Sequence, residues 1–164
     1  MAIGPAYRLD ADAAAIARVL RADAAGDVWG GGEVVPGGYA PVVIRSRERG
    51  RHLVPRMWGV PPPPRGEHIV AFVRNLESPF WIGTLRHTQF RCLVPMTAFR
   101  RREGWFTAGE PPFACAGIWR DSEIPSFALL TNGAAGGLPV VLGEDAAEVW
   151  LSADIRVARG LIET

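Results

Sequence analysis

The sequence predicts an α+β domain built on a curled or barrel-like sheet, with a few helices flanking it. Three observations predict it. The chain has 164 residues, the length of one domain, and shows neither an internal repeat nor a linker. Seven apolar runs of strand length are separated by Gly, Pro and polar residues. Only three stretches suit helices, too few to alternate with every strand in βαβ units.

In chain order, residues 10–22 read as a helix with Asp10 as N-cap and Ala13, Ile16, Ala17 and Leu20 as its apolar stripe. Residues 26–38 are glycine-rich and read as loop. Strands are expected over 39–44, 52–60 and 68–73. Pro61 to Pro64 cannot join a sheet and should form a stiff surface connection. Residues 79–89 suit a short helix with Pro79 in its first turn. Further strands are expected over 91–95, 113–119, 126–131 and 138–142. The last helix is expected over 144–151, with acids in its first turn, where the helix dipole favours them.

Composition excludes several classes. The chain is 48% hydrophobic and 21% charged, unlike a disordered polypeptide. No apolar run approaches the ~20 residues of a membrane span. The start has no basic segment or long apolar run, so it does not read as a signal peptide, and a cytoplasmic location is expected. Cys92 and Cys115 are too few for a disulfide scaffold and read as two buried thiols in a reducing compartment. The spacing of His52, His68 and His87 matches no zinc pattern, and no cofactor or metal is expected. The glycines at 30–32 and 136–137 lack the Lys and Ser/Thr of a phosphate loop.

The net charge of +1 hides a division along the chain. All 18 basic residues are Arg. Residues 1–44 carry three Arg and five acids, a net of −2. Residues 45–102 carry twelve Arg and three acids, a net of +9, and residues 103–164 carry three Arg and nine acids, a net of −6. A basic block suggests an anionic partner such as nucleic acid; an Arg-rich composition in which Arg is simply the solvating cation is the plainer alternative. Arg45, Arg47, Arg49 and Arg51 alternate with other residues, so on a hairpin strand they would share one face. Of the six Trp, Trp58, Trp119 and Trp150 sit on apolar patterns and read as core, whereas Trp29, Trp81 and Trp105 lie near loops or helix faces and could stack on bases.

Several strings, in order, resemble the SRAP family (SOS-response-associated peptidase, or abasic-site processing proteins). They are Trp58–Gly59 after Leu53–Val54–Pro55; Arg91–Cys92–Leu93–Val94–Pro95 with Phe99 following; Phe113–Ala114–Cys115–Ala116–Gly117–Ile118–Trp119; Leu129–Leu130–Thr131; Leu138–Pro139–Val140–Val141–Leu142; and Val149–Trp150–Leu151. Tyr7–Leu9 with the helix behind it also fits, so the resemblance covers about residues 7–152. It implies one SRAP-like domain over 1–164 with a strongly bent, mostly antiparallel sheet. It also implies activity on abasic sites in single-stranded DNA during the DNA-damage (SOS) response. In that family an N-terminal Cys condenses with the sugar aldehyde and its thiol closes a thiazolidine, assisted by a Glu, a His and an Asn.

The chain departs from that pattern at the reacting groups. The family's Cys aligns with Gly4, or with Ala2 counted from the start, and neither supplies a thiol. Its Asn-Ala-Arg-Ala-Glu segment corresponds to Val73–Arg74–Asn75–Leu76–Glu77. Its Glu falls on Arg101, or on Glu103 after a two-residue slip, and its His loop is shortened to Gly133–Ala134–Ala135–Gly136–Gly137. The DNA-contact candidates are Trp58, Arg74, Asn75, Arg86, Arg91 and Arg101; the catalytic candidates are the Ala2 amine and Glu103. Three readings follow. The chain is a divergent member that binds single-stranded or abasic DNA without thiazolidine chemistry. Alternatively it is an enzyme using the Ala2 amine or Glu103 on abasic DNA or a peptide bond. Otherwise it is an interaction module whose basic middle and acidic C-terminal thirds pair between subunits, in an oligomer of unspecified size.

Overall fold

The computed structural model describes residues 4–62, 68–101, 104–133 and 137–163. Among them, twelve strands and four α-helices follow in order: β1 (Tyr7–Leu9), α1 (Ala13–Val19), β2 (Gly32–Val34), β3 (Tyr39–Ser46), β4 (Gly50–Trp58), β5 (Phe72–Val73), α2 (Pro79–Leu85), β6 (Arg91–Met96), β7 (Ala98–Arg101), β8 (Gly104–Phe106), β9 (Phe113–Arg120), β10 (Ser126–Asn132), β11 (Leu138–Pro139), β12 (Val141–Leu142), α3 (Glu144–Ser152) and α4 (Ile155–Glu163). This is the expected α+β class with a mostly antiparallel, strongly curled sheet.

The curl closes. β4 pairs with β3, β3 with β6, β6 with β9 and β9 with β10, all antiparallel, and β10 returns parallel to β4 through Ser126–Met57 and Phe127–Trp58. The five strands therefore form a ring. β12 extends β9, and β5 and β11 extend β10. A second, four-stranded sheet runs β2–β1–β7–β8. The chain passes from ring to second sheet at Thr97, whose hydroxyl donates to Arg8 O at 3.0 Å and accepts Asp10 N at 3.1 Å, anchoring β1.

β6 shows why its sequence does not alternate. All six residues are buried, because one face fills the ring and the other lies under α3. Trp150 of α3 donates its indole N–H to Cys92 O and Gly117 O, each at 3.1 Å, clamping the helix across β6 and β9. A Cβ at Gly117 would stand 2.7 Å from Val94 Cγ2 and 2.8 Å from Cys92 Sγ, so only glycine lets these layers meet. Tyr7, Trp58, Phe72 and Phe99 form an aromatic chain linking the ring to the second sheet, with successive centroids 5.1, 5.7 and 6.3 Å apart.

Four expectations shift. Asp12, not Asp10, caps α1: its carboxylate accepts Ala15 N at 2.8 Å, while Asp10 is drawn to Arg8 at 2.7 Å. The 79–89 helix stops at Leu85, because His87 is extended; a separate 3-10 turn spans Thr88–Phe90. The 68–73 strand shrinks to Phe72–Val73, preceded by a single Val60–Val70 bridge. Expected as one strand, 138–142 becomes two, β11 on β10 and β12 on β9. Pro61 and Pro62 lie outside any strand; Pro63 and Pro64 fall outside the described residues. Among the described residues no helix is long and apolar enough to cross a membrane.

Candidate nucleic-acid interface

After β5 the chain turns sharply into α2. Asn75 makes that turn: its side-chain oxygen accepts Glu77 N at 3.0 Å, and its carbonyl accepts Ser78 N at 3.2 Å. Ser78 then caps α2, and Pro79 occupies the first turn, where a missing N–H costs nothing. This geometry leaves Arg74 and Asn75 exposed before the helix and Arg86 exposed at its C-cap. The Arg74 guanidinium lies 5.3 Å from the centroid of the Phe72 ring beneath it.

Three clefts run past these residues. The first, of about 410 Å³, lies between Pro5, Pro36, His68, Phe72 and Arg74. The second, of about 310 Å³, is bounded by Arg74, Asn75, Glu77, Thr131, Asn132 and Arg159. A small third, of about 80 Å³, reaches Arg86 past Leu76 and Arg159. Arg74 lines the first two, and Leu76 and Arg159 line the last two, so the clefts adjoin. Arg159 is held by Glu77. Arg74 and Arg86 pair with no carboxylate among the described residues.

The structure thus brings Arg74, Asn75 and Arg86 to one surface. It removes two other candidates. Trp58 is fully buried, its indole N–H donating to Ala71 O at 3.0 Å, and no base can stack on it. Arg91 is fully buried too. Its guanidinium donates to Leu85 O at 3.0 Å, Trp150 O at 3.0 Å and Ala153 O, the carbonyls at the ends of α2 and α3, and sits 5.1 Å from the Trp150 ring centroid. It is a cation placed on two helix C-termini, where orphan carbonyls and the dipoles favour it. Burial pulls its pKa down, and the nearby Asp154 opposes that.

Arg101 is exposed on β7 and lines none of the three clefts. Trp81 is also buried, correcting its reading as a base-stacking residue. Trp29 is half-buried and donates to Leu9 O, whereas Trp105 is 44% exposed. Ala2, Glu103 and Ala135 lie outside the described residues. Arg159, Thr131 and Asn132 were not sequence candidates. Ile155, Ala158 and Ile162 recur at helical spacing and would have placed Arg159 at the edge of a C-terminal helix.

Much of the basic block is spent inside the molecule. Arg45 and Arg51 face each other across the β3–β4 hairpin and both bind Glu148 of α3. Arg51 also reaches Glu144 at 3.5 Å and donates to Leu20 O at 3.0 Å. Their hydrogen bonds hold the Glu148 carboxyl below its ordinary pKa. These basic–acidic pairs form within one chain. Arg47 and Arg49 lie in the turn, so the expected four-Arg face does not form along a strand. Arg56 packs 4.5 Å from the Trp119 ring centroid, and burial lowers its pKa. Arg100 donates to Gly4 O at 2.8 Å and lies 3.9 Å from Glu33.

Cys92 and Cys115 are free, buried thiols, and burial pushes both upward, away from reactive thiolate. Among the described residues no group of three His, Cys, Asp or Glu could hold a metal ion.

No protein-family model matches the chain, and no curated protein does. Solved structures do. A phage-related protein from Bordetella bronchiseptica superposes with a TM-score of 0.75 at 18% identity, over 98% of this chain and 87% of that one. A second protein from Bordetella bronchiseptica superposes with a TM-score of 0.76 at 20% identity, over 97% of this chain and 93% of that one. At such identities the likeness is one of fold: the curled sheet and its flanking helices are shared with these two chains over nearly the whole length of this one.

Proposed function

We propose that the chain is a divergent SRAP-like protein that binds single-stranded DNA, including abasic sites, without thiazolidine chemistry. The observation that carries this is the run of adjoining clefts bordered by Arg74, Asn75 and Arg86, in which the exposed Arg74 and Arg86 guanidiniums have no carboxylate partner among the described residues. Phosphate binding needs cations along one track, and Arg presents a fork that fits phosphate oxygens. A single strand fits better than a duplex, because a flexible backbone can follow adjoining clefts of unequal volume. The proposed setting is the cytoplasm, where unpaired thiols persist.

The test is a fluorescence-anisotropy titration with single-stranded and abasic oligonucleotides at low and physiological salt. Binding at micromolar protein that weakens steeply with salt is expected. Absence of salt-sensitive binding at that concentration overturns the reading.

One observation favours a second reading, an amine enzyme. Pro5, three residues after Ala2, lines the same cleft as Arg74. The Ala2 α-amine, freed by removal of Met1, would condense with an abasic aldehyde, losing water to give an imine. Borohydride would trap it as a covalent adduct; no adduct after reduction removes this reading.

A further inference from the structure

Among the described residues that line the three clefts, Glu77 is the one acid. Glu77 stands in the turn between β5 and α2, and its backbone N–H is fixed by Asn75. From there its carboxylate binds Arg159 of α4, which with Leu76 lines both the second and third clefts. The Glu77 side chain is 62% exposed and that of Arg159 36%. Such a wet ion pair is worth little and exchanges readily. Arg159 therefore stands between Arg74 and Arg86 as a third cation already engaged by an internal anion.

Resting on the proposed binding of single-stranded DNA, we infer that Glu77 is a built-in competitor that sets the specificity of the groove. A phosphate that takes up the charge of Arg159 must displace the Glu77 carboxylate. An isolated small anion gains one contact and loses one, so it exchanges without net benefit. A strand that already holds Arg74 and Arg86 makes the exchange as part of a larger contact. The displaced carboxylate then remains close to the bound phosphates and weakens them. The groove thereby selects a polyanion over single anions and holds it below the affinity its arginines would otherwise give.

The experiment titrates a single-stranded oligonucleotide against the wild type, E77Q, R159Q and the double variant, each checked for an unchanged melting temperature, with E110Q as a remote acid control. E77Q is expected to tighten binding about three- to tenfold at low salt. It should also steepen the salt dependence by about 0.7, one phosphate contact on a single strand. E110Q is expected to change little, and the E77Q gain should vanish when Arg159 is Gln. A gain that persists in the double variant, or is matched by E110Q, overturns the competitor, because it then reflects net charge alone. An unchanged E77Q affinity in a protein that does bind also overturns it. No binding by any variant overturns the DNA reading itself.

Discussion

The β3–β4 hairpin carries Arg45, Arg47, Arg49 and Arg51; the stretch from β5 through α2 carries Arg74 and Arg86. By density of charge the hairpin is the better nucleic-acid surface, yet the fold closes it. α3 lies against it and presents Glu144 and Glu148 to the guanidiniums of Arg51 and Arg45. The β5–α2 stretch has fewer arginines, but its neighbours are clefts, and among the described residues lining them only Glu77 is an acid. A count of charges along the chain thus overstates the hairpin and understates the turn. What matters for a polyanion is which cations have no partner of their own.

Arg91 belongs to neither region, and it sharpens the comparison most. Replacing Arg91 with Leu should cost about 3–5 kcal/mol, because it strands the buried carbonyls of Leu85, Trp150 and Ala153. Urea unfolding measures this, and a loss under about 1 kcal/mol would show that the helix ends do not need the cation. The next largest effect is on binding. R74A/R86A should weaken single-stranded DNA about tenfold and reduce the salt slope by about 1.4, with no change in stability. A double variant that binds like the wild type would move the interface elsewhere.

The hairpin should respond in stability instead. Arg51→Ala is expected to cost about 1–2 kcal/mol, since its side chain is only 8% exposed and holds Glu148. The pH dependence has a definite sign. Glu148 is depressed in the folded state, so its contribution is present above the unfolded carboxylate pKa, about 4.3. It is lost as pH falls through the lower folded value. The stability gap between wild type and E148Q should therefore shrink on acidification below that range; a gap that widens there would contradict the pairing. The smallest effect is expected from R47A/R49A, which should change DNA affinity less than about twofold, because these turn residues line none of the clefts. A larger loss would bring the hairpin back into the interface.

The strands and helices were legible wherever one period dominated. β3, β4, β6, β9 and β10 fall where the apolar runs predict, and α3 begins at its acidic first turn. β2, β7 and β8 were missed, because glycines and arginines interrupt their alternation and their pairing is made by distant partners. α4 was missed although its apolar spacing is helical. Of the DNA candidates, Arg74, Asn75 and Arg86 are exposed beside the clefts, whereas Arg91 and Trp58 are buried. An arginine that begins an apolar strand looks the same in sequence whether it faces water or two helix ends.

Local patterning thus determined the fold class, the order of most elements and the concentration of arginine in the middle third. It did so because hydrophobic periodicity and turn chemistry act over neighbouring residues. The tertiary structure alone decided which arginines remain available. That choice rests on contacts between residues as distant as Arg45 and Glu148, Arg91 and Ala153, or Glu77 and Arg159, which ring closure and the docking of α3 and α4 bring together. A charge has no fixed meaning along a chain until its partners in space are known.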